Sequence, residues 1–396
     1  MALDRRHVDL PASMFVMMAV FFFMSAANRI HGGVAPFYSA HLQGPTDFIG
    51  RHMSLGFVAP FVMLNRDHIS EPLDAPKIAA VFASNSSNDA GAQPNGSTNS
   101  SVSIMNHGPA PGKAGTRSTL VILANPVLLT AGFGTIYFWI KTLLTRTTID
   151  QVIEDFRRNS TLAEALTHIT EDQGLRRYVG TGDLACVILD AGIFCLGMKM
   201  FENRRELAAS FFAVVSTCLF MATISVFLNV TLARAMGLEA EEALAFAAKS
   251  VTIALGVPAI QKINGSTTLM SALCICSGMS FQMFGNFMLN FFRIDDRMLP
   301  ARLGPGNSSI DTEKAAPSDY CPQYQNNKSL REESKLLAAG VTIGINAAAL
   351  GTAHLIERDS TAVAYSALSM SIFGGLIVAL TALPGVSDLL MRLATR

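Results

Sequence analysis

The sequence predicts an all-α fold, a polytopic transmembrane helical bundle with broken or re-entrant helices, on three observations. The chain of 396 residues is 50% hydrophobic and only 15% charged, where a soluble globular domain carries about 25% charged residues. Apolar runs near the roughly 20 residues that cross a hydrocarbon core recur along the chain. Polar and helix-breaking residues sit inside some of those runs, which membranes tolerate only where they line a cavity or meet a partner. Mean hydropathy is +0.35 despite long polar stretches. Lys+Arg and Asp+Glu balance at 30 each, so the composition points to the lipid bilayer as a partner and not to nucleic acid.

The elements follow in order. Pro11–Ala27 is the first apolar run. Arg5 and Arg6 before it, and Ser25-Ala26-Ala27 at its end, also fit a secretory signal peptide, so two readings of this run stay open. Met53–Leu64 is about half a span. Ser84–Ser118 is rich in Ser, Asn, Gly and Pro without apolar periodicity and reads as a disordered linker. Its Asn85-Ser-Ser, Asn95-Gly-Ser and Asn99-Ser-Ser sequons matter only if it faces a lumen. Leu120–Leu144 is the next span. Thr147–Val179 is charged, with Ile149, Val152, Ile153 and Phe156 at the spacing of a surface or interfacial helix. The remaining spans are Leu184–Met200, Leu207–Met236, Ala240–Ile260, Thr267–Phe292, Leu336–Ile356 and Thr361–Pro384. A polar loop over 293–333 separates the fourth of these from the fifth. The partition is therefore residues 1–83 as membrane segments, 84–118 as linker and 119–396 as the main transmembrane domain.

Charge bias gives part of the topology. Lys199, Arg204 and Arg205 follow one span and Arg293, Arg297 and Arg302 follow another, and both groups prefer the cytoplasmic side. Glu239, Glu241 and Glu242 would then lie outside. Both preferences hold only if Ala240–Ile260 dips in and returns instead of crossing. Gly256 and Pro258 are the helix breakers in that run, so the interruption is expected near them.

No enzyme signature appears: HExxH, GxxxxGK[ST], GxSxG and paired CxxC are all missing from the sequence. Cys274 and Cys276 would point about 200° apart on a helix, which does not suit a shared metal. The eight histidines are scattered. The chain is thus read as neither an enzyme nor a metal or cofactor protein.

The informative residues are polar groups within apolar spans. Lys249 stands mid-segment in Ala247-Ala248-Lys249-Ser250-Val251-Thr252, and a lysine at the bilayer centre costs about 2.5–3.5 kcal/mol on insertion scales. Such a lysine either faces a cavity or snorkels to an interface. A cation beside helix ends suits a small carboxylate, which makes Lys249, Ser250, Thr252 and Pro258 candidate binding residues. A second patch is Gly340-Val-Thr-Ile-Gly344-Ile-Asn346-Ala-Ala-Ala-Leu-Gly351-Thr352-Ala353-His354. Its small face reads as close helix packing, or, with Asn346, Gly351 and Thr352, as a second wall of the binding site. Asp190, which interrupts Val187-Ile-Leu-Asp-Ala-Gly, and His354 are candidates for proton or charge coupling. Each has a plainer alternative, a local hydrogen bond for Asp190 and an interfacial position for His354.

These residues bring out a resemblance. Lys249-Ser250-Val251-Thr252, Gly351-Thr352-Ala353 and Ser366-Ala367-Leu368-Ser369-Met370 resemble patches of the LrgB/CidB membrane-protein family, in the same order. Asn125-Pro126 and the Leu196–Leu207 run are similar to it as well. The resemblance covers about Thr119–Leu393. Residues 1–83 resemble the companion LrgA/CidA family more weakly, through Leu10-Pro11-Ala12-Ser13 and His52–Pro60. Fusions of the two modules occur in the plastidal glycolate/glycerate translocator and in related fungal LrgB-like proteins. This chain departs from bacterial relatives at Ile253-Ala254, where they carry Thr-Pro, and at Ala347-Ala348, where they carry Ser-His, so the fungal type is the nearer one. The resemblance implies an integral, multi-pass membrane protein. It also implies a secondary transporter of small organic monocarboxylates such as glycolate, glycerate or pyruvate. The alternative is a holin-like or antiholin-like protein that alters permeability or lysis. Assembly as a homo-oligomer is compatible with either.

Overall fold

The computed structural model describes residues 12–57, 126–156, 180–291, 322–358 and 360–395, with positions 59, 60 and 80 besides. The expected linker at 84–118, and most of the 293–333 loop, lie outside the described residues. Helix α1 spans Ala12–His31 and α2 Val34–Phe37, which widens into a π-helical turn at Tyr38–Leu42 before α3, Gln43–His52. A tight helical turn follows at Met53–Phe57. Then come α4 (Pro126–Thr145), α5 (Ile149–Phe156), α6 (Thr181–Glu202), α7 (Arg204–Ala235), α8 (Ala240–Ala245), α9 (Ile253–Lys262), α10 (Thr267–Phe291), α11 (Pro322–Glu357), α12 (Val363–Ala382) and α13 (Pro384–Thr395). Among the described residues there is no strand, and six helices are long and apolar enough to span a membrane: α1, α6, α7, α10, α11 and α12.

Helix α12 is the axis of the bundle. It packs against α6, α7, α9, α11 and α13. Its sequence explains why: Ala364, Ala367, Ser366, Ser369 and Gly374 present little bulk, and α12 is apolar on every side, as a helix wrapped by others must be. Helix α11 docks through Gly340 and Gly344. A Cβ on Gly340 would stand 2.7 Å from the Tyr365 Cβ and 2.8 Å from the Ala362 carbonyl, and one on Gly344 would overlap the Ser369 hydroxyl and the Ser366 carbonyl. Close packing of the small face is what these glycines provide. Large apolar side chains left outside, among them Phe133, Trp139 and Leu143 on α4 and Phe212 and Phe220 on α7, face outward as a hydrocarbon-contacting surface does.

The Ala240–Ile260 stretch is a re-entrant helical hairpin. Its first arm is α8 with a 3₁₀ turn at Phe246–Ala248, and its second is α9. The backbone N–H of Ser266, just after α9, donates to the Glu241 carbonyl at the start of α8 over 2.9 Å. Both ends therefore lie on one side. At ~1.5 Å per residue or slightly more, each arm reaches about 14 Å, close to half of a ~30 Å hydrocarbon core. The expected interruption is present but not at Gly256–Pro258. Pro258 lies inside α9, and the chain leaves helical geometry at Lys249–Thr252. The physical reason is that Thr252 takes the extended conformation of an N-cap residue (φ −53°, ψ 136°) ahead of an apolar run. Pro258 removes only one bond within the helix that follows. Gly256 serves a different end, letting Met270 of α10 and Ala248 of the first arm come close.

Helix α11 is broken too. Ala348 has φ 44° and ψ −133°, a backbone region natural to glycine and costly for alanine. The helix starts at Pro322, inside the stretch expected as a polar loop. Proline suits a first helical turn, and Lys328, Arg331, Glu332 and Glu333 are good helix formers despite their polarity.

The N-terminal segment shares the core instead of standing apart. Met14, Met17, Met53 and Phe57 are buried in the same cluster as α6–α12. Helix α1 crosses α6 at Gly197, where a Cβ would stand 2.5 Å from the Met17 carbonyl.

Candidate functional site

The tip of the re-entrant hairpin carries Lys249, Ser250, Val251 and Thr252. Lys249 is 3% exposed and Ser250 4%. Unwinding here releases backbone groups that a continuous helix would pair. The Thr252 carbonyl accepts from the N–H groups of both Leu255 and Gly256 at 2.9 Å, which starts α9. Its side chain makes no cap bond, and the Thr252 Oγ1 is buried with no hydrogen-bond partner. A lysine, two hydroxyl side chains and a helix N-terminus thus follow one another within a few residues, groups of the kind that can donate to an anion.

Two residues of α7 complete this patch and were not singled out from the sequence. The Asn229 side-chain amide donates to the Ser225 Oγ at 2.9 Å and to the Phe246 carbonyl at 3.5 Å, just before the tip. Both side chains are buried. The signal was available: the asparagine inside Val226-Phe-Leu-Asn-Val is, like Lys249, a polar side chain in an apolar span.

The second predicted patch lies at the kink of α11. Thr352 is wholly buried; its hydroxyl donates to the Ala348 carbonyl at 2.8 Å and pairs with the Ser366 hydroxyl at 2.7 Å. Thr352 therefore closes the broken turn and ties it to α12. Gly351 gives room at the kink, since a Cβ there would meet Ala347 at 2.5 Å and Ile343 at 2.8 Å. Asn346 is half-buried and donates within its own helix to the Thr342 carbonyl at 3.1 Å.

Both patches lean on one stripe of α12. Val251 and Leu255 pack on Gly374, while Thr352 meets Ser366 and Met370. Residues 366, 370 and 374 repeat at the helical spacing of one face, about 12 Å from end to end. Three candidates remain. Asp190 is exposed on α6. His354 is half-buried with its ring edge-on to Phe281 of α10, centroids 5.9 Å apart. Pro258 sits within α9, half-buried.

Comparison with known proteins assigns a family. The model of the LrgB-like family matches residues 113–315 and 328–385, more than half of the chain, and the chain belongs to that family. It is similar to the holin-like protein CidB of Staphylococcus aureus strain Mu50, 24% identical over 196 residues, which are 49% of this chain and 67% of that relative. It is also similar to the holin-like protein CidB of Staphylococcus epidermidis strain RP62A, 21% identical over 183 residues, 46% of this chain and 63% of the relative. No solved structure matches. The protein is an integral, multi-pass membrane protein, with its spanning helices in contact with the bilayer.

Proposed function

We propose that this member of the LrgB-like family is a secondary transporter of small organic monocarboxylates, of the glycolate, glycerate or pyruvate type. The observation that carries the reading is Lys249, 3% exposed, at the unwound tip of a re-entrant hairpin whose arms are each about half as long as a hydrocarbon core is thick. A simple pore has no use for a buried lysine three residues before an unpartnered buried hydroxyl and a helix N-terminus. A binding site does: the ammonium meets the carboxylate, and Ser250 and Thr252 offer neutral hydrogen bonds to a hydroxyl or carbonyl of the substrate.

The test is uptake of labelled glycolate, glycerate, pyruvate and lactate into proteoliposomes. Wild type is expected to take up at least one of them. Lys249→Ala should abolish that uptake with insertion intact, and Lys249→Arg should impair it, since a planar fork does not replace a compact ammonium. Unchanged uptake in Lys249→Ala would remove the lysine from the mechanism.

The similarity to CidB supports a second reading, a holin-like protein that changes membrane permeability. It predicts leakage of a neutral fluorescent dye from the same proteoliposomes, insensitive to Lys249→Ala.

A further inference from the structure

We propose that Asn229 is a positioning residue: its amide ties α7 to the Phe246 carbonyl and thereby sets where the Lys249 tip stands. The inference rests on the transport reading above for its consequence in uptake, but not for its geometry.

The side chain of Asn229 is 2% exposed and that of Ser225 6%. They lie one helical turn apart on the face of α7 that packs on the 3₁₀ turn at Phe246–Ala248. The orientation of the amide follows from its partners. The Phe246 carbonyl can only accept, so the NH2 end must face it. The second amide hydrogen goes to the Ser225 Oγ at 2.9 Å, which fixes the rotation of the side chain. The Phe246 carbonyl also receives the Lys249 backbone N–H at 3.4 Å. Both bonds to this oxygen are long, 3.5 Å from Asn229 and 3.4 Å from Lys249. The carbonyl is therefore a shared anchor: one bond holds the end of the first arm to α7, and the other holds the backbone of Lys249 to that end.

The Val251 N–H donates to the Ala248 carbonyl at 3.1 Å, and the Val251 side chain packs on Gly374 of α12. Tight 3₁₀ geometry replaces α-helical bonding at Phe246–Ala248, and Thr252 makes no side-chain cap. Losing the Asn229 anchor should let Lys249 wander from the α9 N-terminus without touching the ligand-binding groups themselves. The expected signature is weaker substrate capture with little change in turnover, the pattern of lost uniform binding.

Full-length Asn229→Leu, which keeps the bulk but has no donor, is compared with wild type in two measurements. Backbone hydrogen exchange in lipid nanodiscs should accelerate about tenfold over residues 246–252 and stay unchanged in α10 and α12, tenfold being the equivalent of one hydrogen bond of about 1.4 kcal/mol. Carboxylate uptake should show KM raised about tenfold with Vmax within about twofold. Ser225→Ala removes only the group that orients the amide, is the milder change, and should give a smaller acceleration in the same segment. Asn229→Gln, which can still donate, should recover part of the protection. Unchanged exchange over 246–252 in both Asn229→Leu and Ser225→Ala overturns the positioning role. So does acceleration spread evenly over the bundle, or a loss confined to Vmax. Failure of wild type to take up any carboxylate overturns the transport reading instead, and the exchange measurement then decides the role of Asn229 by itself.

Discussion

Thr352 illustrates how one side chain can matter for shape and not for contact with solvent. Its hydroxyl is the only hydrogen-bonding bridge described between the kinked turn of α11 and Ser366 of α12. Thr352→Val, equal in volume, leaves the Ala348 carbonyl and the Ser366 hydroxyl short of a partner in a buried place. A loss of about 1–3 kcal/mol is expected, read as a lower midpoint of thermal unfolding in detergent, while Thr352→Ser should stay close to wild type. Gly344 makes the complementary case of missing volume. A Cβ there overlaps the Ser366 carbonyl and the Ser369 hydroxyl, and the first of these is backbone that cannot swing aside. Gly344→Ala should push α11 off α12 and cost about 1–3 kcal/mol. A midpoint at or above that of wild type would show that the helices can part there without penalty.

At the scale of elements, the two broken helices differ in how far the sequence revealed them. The hairpin was legible because charge bias required Ala240–Ile260 to return, and because Lys249, Ser250 and Thr252 are polar in an apolar run. Its break was misplaced because Pro258 drew attention as a breaker, whereas the start signal of the second arm was Thr252 before Ile253. The kink at Ala348 had little local signal: Ala347-Ala-Ala-Leu is strong helix former throughout, and the turn it opens packs against α10 and α12. Asn229 carried the same signal as Lys249 and was passed over because an uncharged amide stands out less in a hydropathy reading. The φ of 44° at Ala348 also makes a prediction opposite to the usual rule for helices. Ala348→Gly normally costs a helix about 1 kcal/mol; here it should stabilise by about 0.5–1 kcal/mol, since glycine enters that region freely. Thermal unfolding of the variant measures the sign, and destabilisation would mean that the kink is not under strain.

At the scale of the whole molecule, the question is how residues 12–57 are joined to the family domain, since the family match begins only at residue 113. The sequence placed helices there but gave no sign of where they dock, because docking depends on surfaces far apart in the chain. The structure puts α3 between α6 and the last turns of α11, with Gly50 against Ile356. Lys199 of α6 pairs with Asp47 of α3 at 2.5 Å and with Glu202 at 3.0 Å, and Gln43 donates to Glu202 at 3.3 Å. The Lys199 and Asp47 side chains are 20% and 32% exposed, so their attraction is neither lost to water nor confined to a dry core. A coupling of about 1–2 kcal/mol is the expected size, between that of surface and fully buried pairs. Asp47→Asn, Lys199→Gln and the double variant form the cycle that measures it. Neutral replacements are the right ones, because a reversed pair would set an aspartate at 199 beside Glu202. The midpoint should fall in each single variant and fall no further by the full sum in the double. If the effects simply add, the ion pair is incidental and the docking of the N-terminal segment rests on apolar contact alone, above all on the backbone approach of Met17 to Gly197. If they couple, then α6 of the family domain is braced by charge from α3, which lies outside that domain.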